Sequence, residues 1–409
     1  MKIKVGLLND SFPPVIDGVA NTVKAYADIL SRTDEPVVIT PKYPHVKDEY
    51  PYEVYRYLSI PTDRLIGYRS GDPFEPVALT ELANRKLDIM HVHCPFASAV
   101  LAINIKRLMR NRLPLVFTYH TKFDIDIKKR VPFKQLHKPI LRFVVNNIAH
   151  MDEVWVVSEG AGENLRSLGY KGSYRVMPNG TDFKRGRADE DKVAALRQKL
   201  GIAGDEIVFL FVGRMMWYKN TGLIVDAMKI LADKGAKCKA VFVGSGEDKH
   251  AIEEYVAQLK LNDRVIFTGP VYDREELRVY YSLADMFTFP STYDTSGLVV
   301  REAAACDCPS LLVKGSCASE GVEDRVSGYL CEESAESCAE AMLEAINDRE
   351  KLKEIGKTAG EKVYYSWESA VADARRAYEE IIVARTEHRH FIHKQPKKPK
   401  KPKKPVDGE

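Results

Sequence analysis

The stretch from Ala284 to Pro309, ADMFTFPSTYDTSGLVVREAAACDCP, decides the fold. Met286 to Phe289 is a short apolar run of strand formers, and Pro290 stops it. Ser291 to Ser296 is a polar turn. Gly297 then opens an Ala-rich helical run, Leu298 to Cys306, closed by Pro309. A strand feeding a helix through a polar loop is the repeating unit of α/β sheets. The first-turn amides of such a helix lack a partner within it and make an anion site. Ser296 or Thr295 is expected to cap the helix, and Gly297 to let a ligand reach the backbone. Asp294 and Glu302 bracket the helix start. With a rise of about 1.5 Å per helical residue they should stand about 10 Å apart or a little more, beyond the usual range for two carboxylates flanking one hydrolysed bond. That distance suits two ends of an elongated ligand with a phosphate between them. An ordinary βα unit with a solvated Glu302 fits the same spacing.

The chain has 409 residues, too many for one core, so two domains are expected. Its 45% hydrophobic and 29% charged content describe a soluble globular protein. No run approaches the length of a membrane span, and the first residues read as a strand rather than a signal peptide. Seven scattered cysteines fit reduced thiols in the cytosol. The net charge of +3 is uneven: residues 394–409 carry +5, leaving −2 on the body. A basic tail on a nearly neutral body is not a nucleic-acid-binding core.

Working back from the opening stretch, the first half alternates apolar runs (Val5 to Leu8, Val37 to Thr40, Ile89 to His93, Leu115 to His120, Val154 to Ser158) with helical ones, Ala20 to Leu30 and Ala99 to Met109. This predicts a parallel sheet covered on both faces, with ligands at the carboxyl ends of its strands. That rule picks out Asp10 through Gly18, His93 and His120. The Gly18 loop, preceding a helix, is a second candidate anion cradle. His120 at the crevice suits a polar or acid/base role, or a satisfied structural histidine. His91-x-His93-Cys94 has the look of a metal cluster but lacks a second ligand pair nearby.

A turn cluster at Met177 to Asp182 and a charged segment to Asp191 mark the domain boundary. The pattern then restarts. Ile207 to Val212 leads into Gly213-Arg214 and Lys219-Asn220, Ala240 to Val243 into Gly244-Ser245-Gly246-Glu247, and Val265 to Gly269 into a helix before the opening stretch. Two cations in a strand-to-helix loop, with the helix start at Gly297, imply a diphosphate. Neither a Walker loop nor a G-x-G-x-x-G after the first strand occurs, which disfavours ATP hydrolysis and dinucleotide redox chemistry.

The ordered set Pro178-Asn179-Gly180, Gly213-Arg214 with Lys219-Asn220, Gly244 to Glu247, and Asp294-x7-Glu302 resembles the retaining GT-B glycosyltransferases of family 4. Asp10-x-Phe12-x-Pro14 with Asp17-Gly18-Val19 is similar to their first loop. Tyr364 to Glu368 is similar to the start of their last helix, so the likeness covers about residues 1–385. It implies an α/β fold of two Rossmann-like parallel-sheet domains facing across a cleft: 1–180 on the acceptor side, 181–363 binding nucleotide-sugar, and 364–386 crossing back as a helix. The lysine- and proline-rich composition of 387–409 predicts a basic disordered tail. The resemblance also implies roles. Arg214 and Lys219 would hold the donor diphosphate, Glu302 the ribose, and Asp294 the donor sugar, with Gly297 and Leu298 near sugar and phosphate. Gly18 would approach the diphosphate from the other domain, and His120 would line the sugar site. Arg214, Lys219, Asp294 and His120 are thus the catalytic candidates. The donor would be UDP- or GDP-linked, transfer would retain the anomeric configuration, and no metal or other cofactor is expected because positive groups replace it. The family usually has Glu where Asp294 stands, which leaves room for an altered donor preference or a non-catalytic sugar-nucleotide-binding protein. Asp124-x-Asp126 is similar to the metal motif of another transferase fold but sits in a basic loop.

Segment 127–145 mixes Lys128, Lys129, Arg130, Lys134, Lys138 and Arg142 with Phe133, Ile140, Leu141 and Phe143. Basic and apolar residues together suit an anionic membrane surface, as in relatives that glycosylate diacylglycerol or phosphatidylinositol. A helix with one core face and one solvated face fits too. The expectation is a cytoplasmic enzyme, peripheral on the inner membrane face, acting on a lipid or lipid-linked saccharide. A soluble sugar or polysaccharide acceptor, or another GT-B reaction such as epimerisation, is the alternative.

Overall fold

The computed structural model describes residues 2–15, 17–63 and 68–394, with side chains through 386 except 129 and 130. Strands β1 (Lys4–Leu8), β2 (Glu35–Pro41) and β3 (Glu53–Tyr57) precede a small antiparallel hairpin, β4 (Ser59–Ile60) and β5 (Ser70–Gly71). β6 (Ile89–Val92), β7 (Leu115–Tyr119), β8 (Glu153–Val156) and β9 (Arg175–Val176) complete a seven-stranded parallel sheet in the order β3-β2-β1-β6-β7-β8-β9. The second sheet holds β10 (Ile207–Val212), β11 (Cys238–Val243), β12 (Val265–Gly269), β13 (Met286–Phe289), β14 (Ser310–Val313) and β15 (Tyr329–Cys331) in the order β12-β11-β10-β13-β14-β15. Both orders reverse direction once, between β1 and β6 and between β10 and β13. Such switch points are where α/β sheets open a ligand crevice.

Apart from the half-buried Lys4 that opens β1, the central strands are buried along their whole length, as expected of strands covered by helices on both faces. At about 1.5–3 kcal/mol per buried aliphatic or aromatic side chain, each sheet carries a core of its own. Register brings the crevice loops together. Leu8 pairs with both Ile39 and Val92, aligning the Asn9 and His93 loops, and Leu210 pairs with Phe287, aligning the Gly213 and Pro290 loops.

The helix Trp367–Lys394 runs past the boundary expected at 386; residues 395–409, with most of the lysine-proline tail, lie outside the described residues. It packs on the N-terminal sheet. Val371, Ala374, Ala377 and Tyr378 enter that core, Tyr378 stacks on Trp155 at 5.4 Å, and Arg375 pairs with the fully buried carboxylate of Asp34 at 2.7 Å. The crossover is pinned at its start. Thr181 N–H donates to Tyr365 O, Trp367 N–H donates to Thr181 O, and a Cβ at Gly180 would stand 2.4 Å from Ser366. That close approach is the reason for glycine in Pro178-Asn179-Gly180.

Candidate active site

The C-terminal crevice is built from three loops. Gly213 (φ 155°) ends β10 and turns the chain to Arg214. Gly244 and Gly246 support that turn from the next strand. A Cβ at Gly244 would meet Gly213 O at 2.0 Å, and one at Gly246 would meet Met215 O at 2.2 Å. The Gly244-Ser245-Gly246 turn therefore lets one backbone lie against another, a role the sequence did not disclose. The third loop is Pro290 to Gly297.

Lys219 lies in a short 3-10 turn, 7% exposed, its ammonium over the Phe289 ring at 5.2 Å. It donates to both oxygens of Asp294, at 2.8 and 3.0 Å, and Ser291 Oγ donates to the same carboxylate at 2.6 Å. A desolvated ammonium needs such a counter-charge, and here Asp294 occupies the position an anionic ligand would otherwise neutralise. Arg214 is exposed, makes no hydrogen bond or ion pair among the described residues, and directs its charge at Tyr218 and Tyr293.

The helix Leu298–Ala305 begins at Gly297, which is left-handed at φ 56° and crowds Ala318: a Cβ there would stand 2.9 Å from the Ala318 Cβ. The expected cap by Ser296 or Thr295 is not formed. Thr295 Oγ1 instead donates to His120 O in the other lobe at 2.6 Å, and Ser296 Oγ is buried without a partner. With no side-chain cap, the first-turn amides at Leu298 and Val299 stay available to an anion. Glu302, 8% exposed, accepts from Arg274 at 2.8 Å and from the buried Tyr281 hydroxyl at 2.8 Å. Arg274 also pairs with Asp182 and lies over Phe183 at 4.2 Å. Sequence reasoning missed Arg274 and Tyr281, since no local spacing ties them to Glu302.

The N-terminal lobe brings His120 to the cleft wall, beside Thr295. Asp10 points elsewhere: its carboxylate accepts from the amides of Ala97 (3.1 Å) and Ser98 (2.7 Å), capping the helix Ala97–Leu108. The Gly18 cradle is also filled from within, because Asp17 Oδ1 accepts from Val19 and Ala20 N–H at 2.8 Å each. Gly18 itself is exposed, with open space around it, so a ligand there would approach Gly18 without those two amides. His91 and His93 share one face, their ring centroids 4.0 Å apart, but among the described residues no group of three His, Cys, Asp or Glu is arranged to hold a metal. Asp124 accepts from Asn164, and Asp126 from Tyr293 of the other lobe at 2.6 Å. Lys122 donates to Thr292 O at 3.3 Å, and Glu320 caps the helix Glu159–Ser167 through the amides of Glu159 and Gly160 at 2.6 and 2.7 Å. The lobes thus meet across the cleft through the Pro290 to Gly297 loop, which touches His120 and Asp126 of the other lobe and holds Asp294 against Lys219.

Residues 192–362 match the family model described as glycosyl transferases group 1, and residues 16–185 that of glycosyltransferase family 4. The chain belongs to the family 4, group 1 glycosyltransferases. Its two facing parallel sheets are the GT-B fold. The glycosyltransferase is 27% identical over 373 residues to an alpha-monoglucosyldiacylglycerol synthase of Streptococcus pneumoniae, covering 88% of this chain and 82% of that one. It is 26% identical to an N-acetyl-alpha-D-glucosaminyl L-malate synthase of Bacillus anthracis, covering 90% and 94%. The HepE protein of Anabaena, solved in complex with UDP, superposes with a TM-score of 0.74 at 19% identity, covering 92% of this glycosyltransferase and all of HepE.

Its histidines also set a pH limit. Burial pushes His120 down to about 3 and holds His91 and His93 well below their ordinary 6.5. In the unfolded chain all three titrate near 6.5, so below that pH the unfolded state binds protons the folded state refuses. Stability is intact above pH 6.5 and is lost as pH falls toward 3. The melting temperature should therefore decline steadily from pH 7 to pH 5; a flat profile across that interval would contradict this burial.

Proposed function

We propose that the protein moves a hexose from a UDP- or GDP-linked donor, with retention of configuration, to a membrane lipid such as diacylglycerol or to a lipid-linked saccharide. The donor half is carried by one observation: the buried ammonium of Lys219, in the loop that also holds the exposed Arg214, bonds Asp294 in the loop that leads to the uncapped helix start at Leu298. Arg214, Lys219 and the amides would take the diphosphate and the charge that develops as the nucleotide leaves. Glu302 would accept from the ribose hydroxyls, and Asp294, released from Lys219 by the diphosphate, would turn to the donor sugar. These groups supply the positive charge without a metal ion.

The lipid half is supported by the helix Lys134–Ala149, next along the chain from the helix that carries Asp126 to the cleft. Phe133 is 65% exposed, Leu136 47% and Phe143 45%, among the exposed Lys134, Lys138 and Arg142. The similarity to a diacylglycerol-glucosylating relative points the same way. Reversing Lys134, Lys138 and Arg142 to Glu should weaken binding to anionic vesicles at least 100-fold, since each basic residue near such a surface contributes about 1 kcal/mol. Flotation that is unchanged by this triple reversal, or that fails for the wild type, removes the membrane reading. The similarity to the malate-glycosylating relative favours the second reading, a soluble acceptor. Incubation of UDP- and GDP-sugars with diacylglycerol vesicles, and separately with soluble hydroxyl acceptors, tests the two. The proposal expects a hexosyl lipid with the donor's anomeric configuration by NMR; product on soluble acceptors alone supports the alternative.

A further inference from the structure

Three imidazoles share one face of the N-terminal sheet. His91 is satisfied at both nitrogens: Nδ1 meets the Tyr378 hydroxyl and Nε2 meets Thr118 Oγ1, each at 2.6 Å. His93 is not. Its Nδ1 lies 3.0 Å from His120 Nε2, while its Nε2 is sealed from solvent with no partner. The two ring planes differ by 18° and their centroids stand 5.2 Å apart. That separation is close to the nitrogen–nitrogen distance plus a ring radius at each end. The rings are therefore near coplanar and meet head-on, so the contact is an in-plane hydrogen bond.

A neutral imidazole has one N–H and one bare nitrogen, so a single proton lies between the two rings. If His120 donated from Nε2, His93 would have to carry its own hydrogen on Nε2, a buried donor with no acceptor. If His93 donates from Nδ1, its Nε2 is only an unused lone pair. Orphaned buried N–H groups are rarer than under-used acceptors, which selects the second arrangement. His120 then carries its hydrogen on Nδ1. Among the described residues nothing bonds that nitrogen, and the His120 carbonyl already touches Thr295 of the other lobe. Tyr26 packs edge-on against His93, ring centroids 5.6 Å apart.

We propose that His93 is a positioning residue: by donating to His120 Nε2 it locks His120 as the Nδ1–H tautomer, so that His120 presents a hydrogen-bond donor to the cleft. Its neighbour's bond decides which nitrogen of an imidazole keeps the proton, and free neutral histidine prefers Nε2–H. His120 then serves an oxygen of the sugar or of the leaving diphosphate and does not act as a general base. This rests on the reading of the cleft as a glycosyl-transfer site.

Two-bond proton–nitrogen correlation spectra of the full protein labelled with 15N-histidine read the tautomer directly and need no turnover. His120 is expected as Nδ1–H in the wild type and as Nε2–H in His93→Phe. Losing one aligned hydrogen bond should lower kcat/KM for transfer about 10-fold, with KM for the donor unchanged. His93→Asn restores a donor at the Nδ1 position and should recover both tautomer and rate, whereas His93→Gln displaces the donor and should recover neither. If His93→Phe does not fold, the Asn and Gln pair decides. An Nε2–H His120 in the wild type, or Asn and Gln variants that behave alike, overturns the assignment. Spectra as expected from a protein that transfers no sugar would leave the assignment standing and sink the glycosyl-transfer reading instead.

Discussion

Replacing Arg214 and Lys219 together by methionine should lower kcat/KM for glycosyl transfer by about 10³–10⁴, while the melting temperature changes little. Each cation is expected to make charge-assisted hydrogen bonds to the diphosphate, about 1.5–3 kcal/mol apiece. A preorganised donor aimed at developing charge is worth about 10²–10³ in rate, and two acting on one leaving group add less than fully. Lys219 should be the larger single loss. It is buried and held in place by Asp294 and the Phe289 ring, whereas the exposed Arg214 must be ordered when the donor arrives. Methionine keeps the apolar stem against Phe289, and Asp294, 26% exposed at its side chain, retains solvent and Ser291. Steady-state kinetics with calorimetric UDP or GDP titration would check this. Transfer that survives the double replacement refutes the diphosphate assignment.

Glu302→Ala should do two things at once. It leaves the Tyr281 hydroxyl, fully buried, without an acceptor and strips Arg274 of one of its two carboxylates, for about 2–4 kcal/mol of lost stability. It also removes the proposed ribose contact, so affinity for UDP or GDP should fall about 100-fold while inorganic diphosphate binds as before. Glu302→Gln, which still accepts from Tyr281, should recover much of the stability and less of the nucleotide affinity. Equal losses for nucleotide and inorganic diphosphate would place the ribose elsewhere.

What could be read in advance follows from the range of each interaction. Central strands such as β10 and β13 are covered on both faces, so β10 is an unbroken apolar run and β13 is apolar but for the buried Thr288, and Gly297 stands where a left-handed residue must start a helix. The edge strands β3 and β9 are half-exposed or exposed, carry mixed residues and left no such trace. The cap at Ser296 or Thr295 was misjudged because Thr295 has a stronger claim on it from the opposite lobe, invisible to any local rule. Asp10 reads as a site residue from its place after β1, yet it caps a helix that starts at Ala97. Arg274 meets Glu302 only after the chain has passed through a whole βα unit. The places of Arg214 and Lys219 after β10, and of Asp294 and Glu302 on either side of the Gly297 helix start, follow from local pattern; their partners come from tertiary packing.

The most direct measurement is a crystal structure of the protein with a bound nucleoside diphosphate. The account predicts phosphates at the amides of Leu298 and Val299, Lys219 turned from Asp294 to phosphate oxygen, Arg214 drawn in over the same group, and the ribose hydroxyls on Glu302. A nucleotide bound away from Arg214, Lys219 and the Gly297 helix start, with the Lys219–Asp294 pair intact, would contradict it.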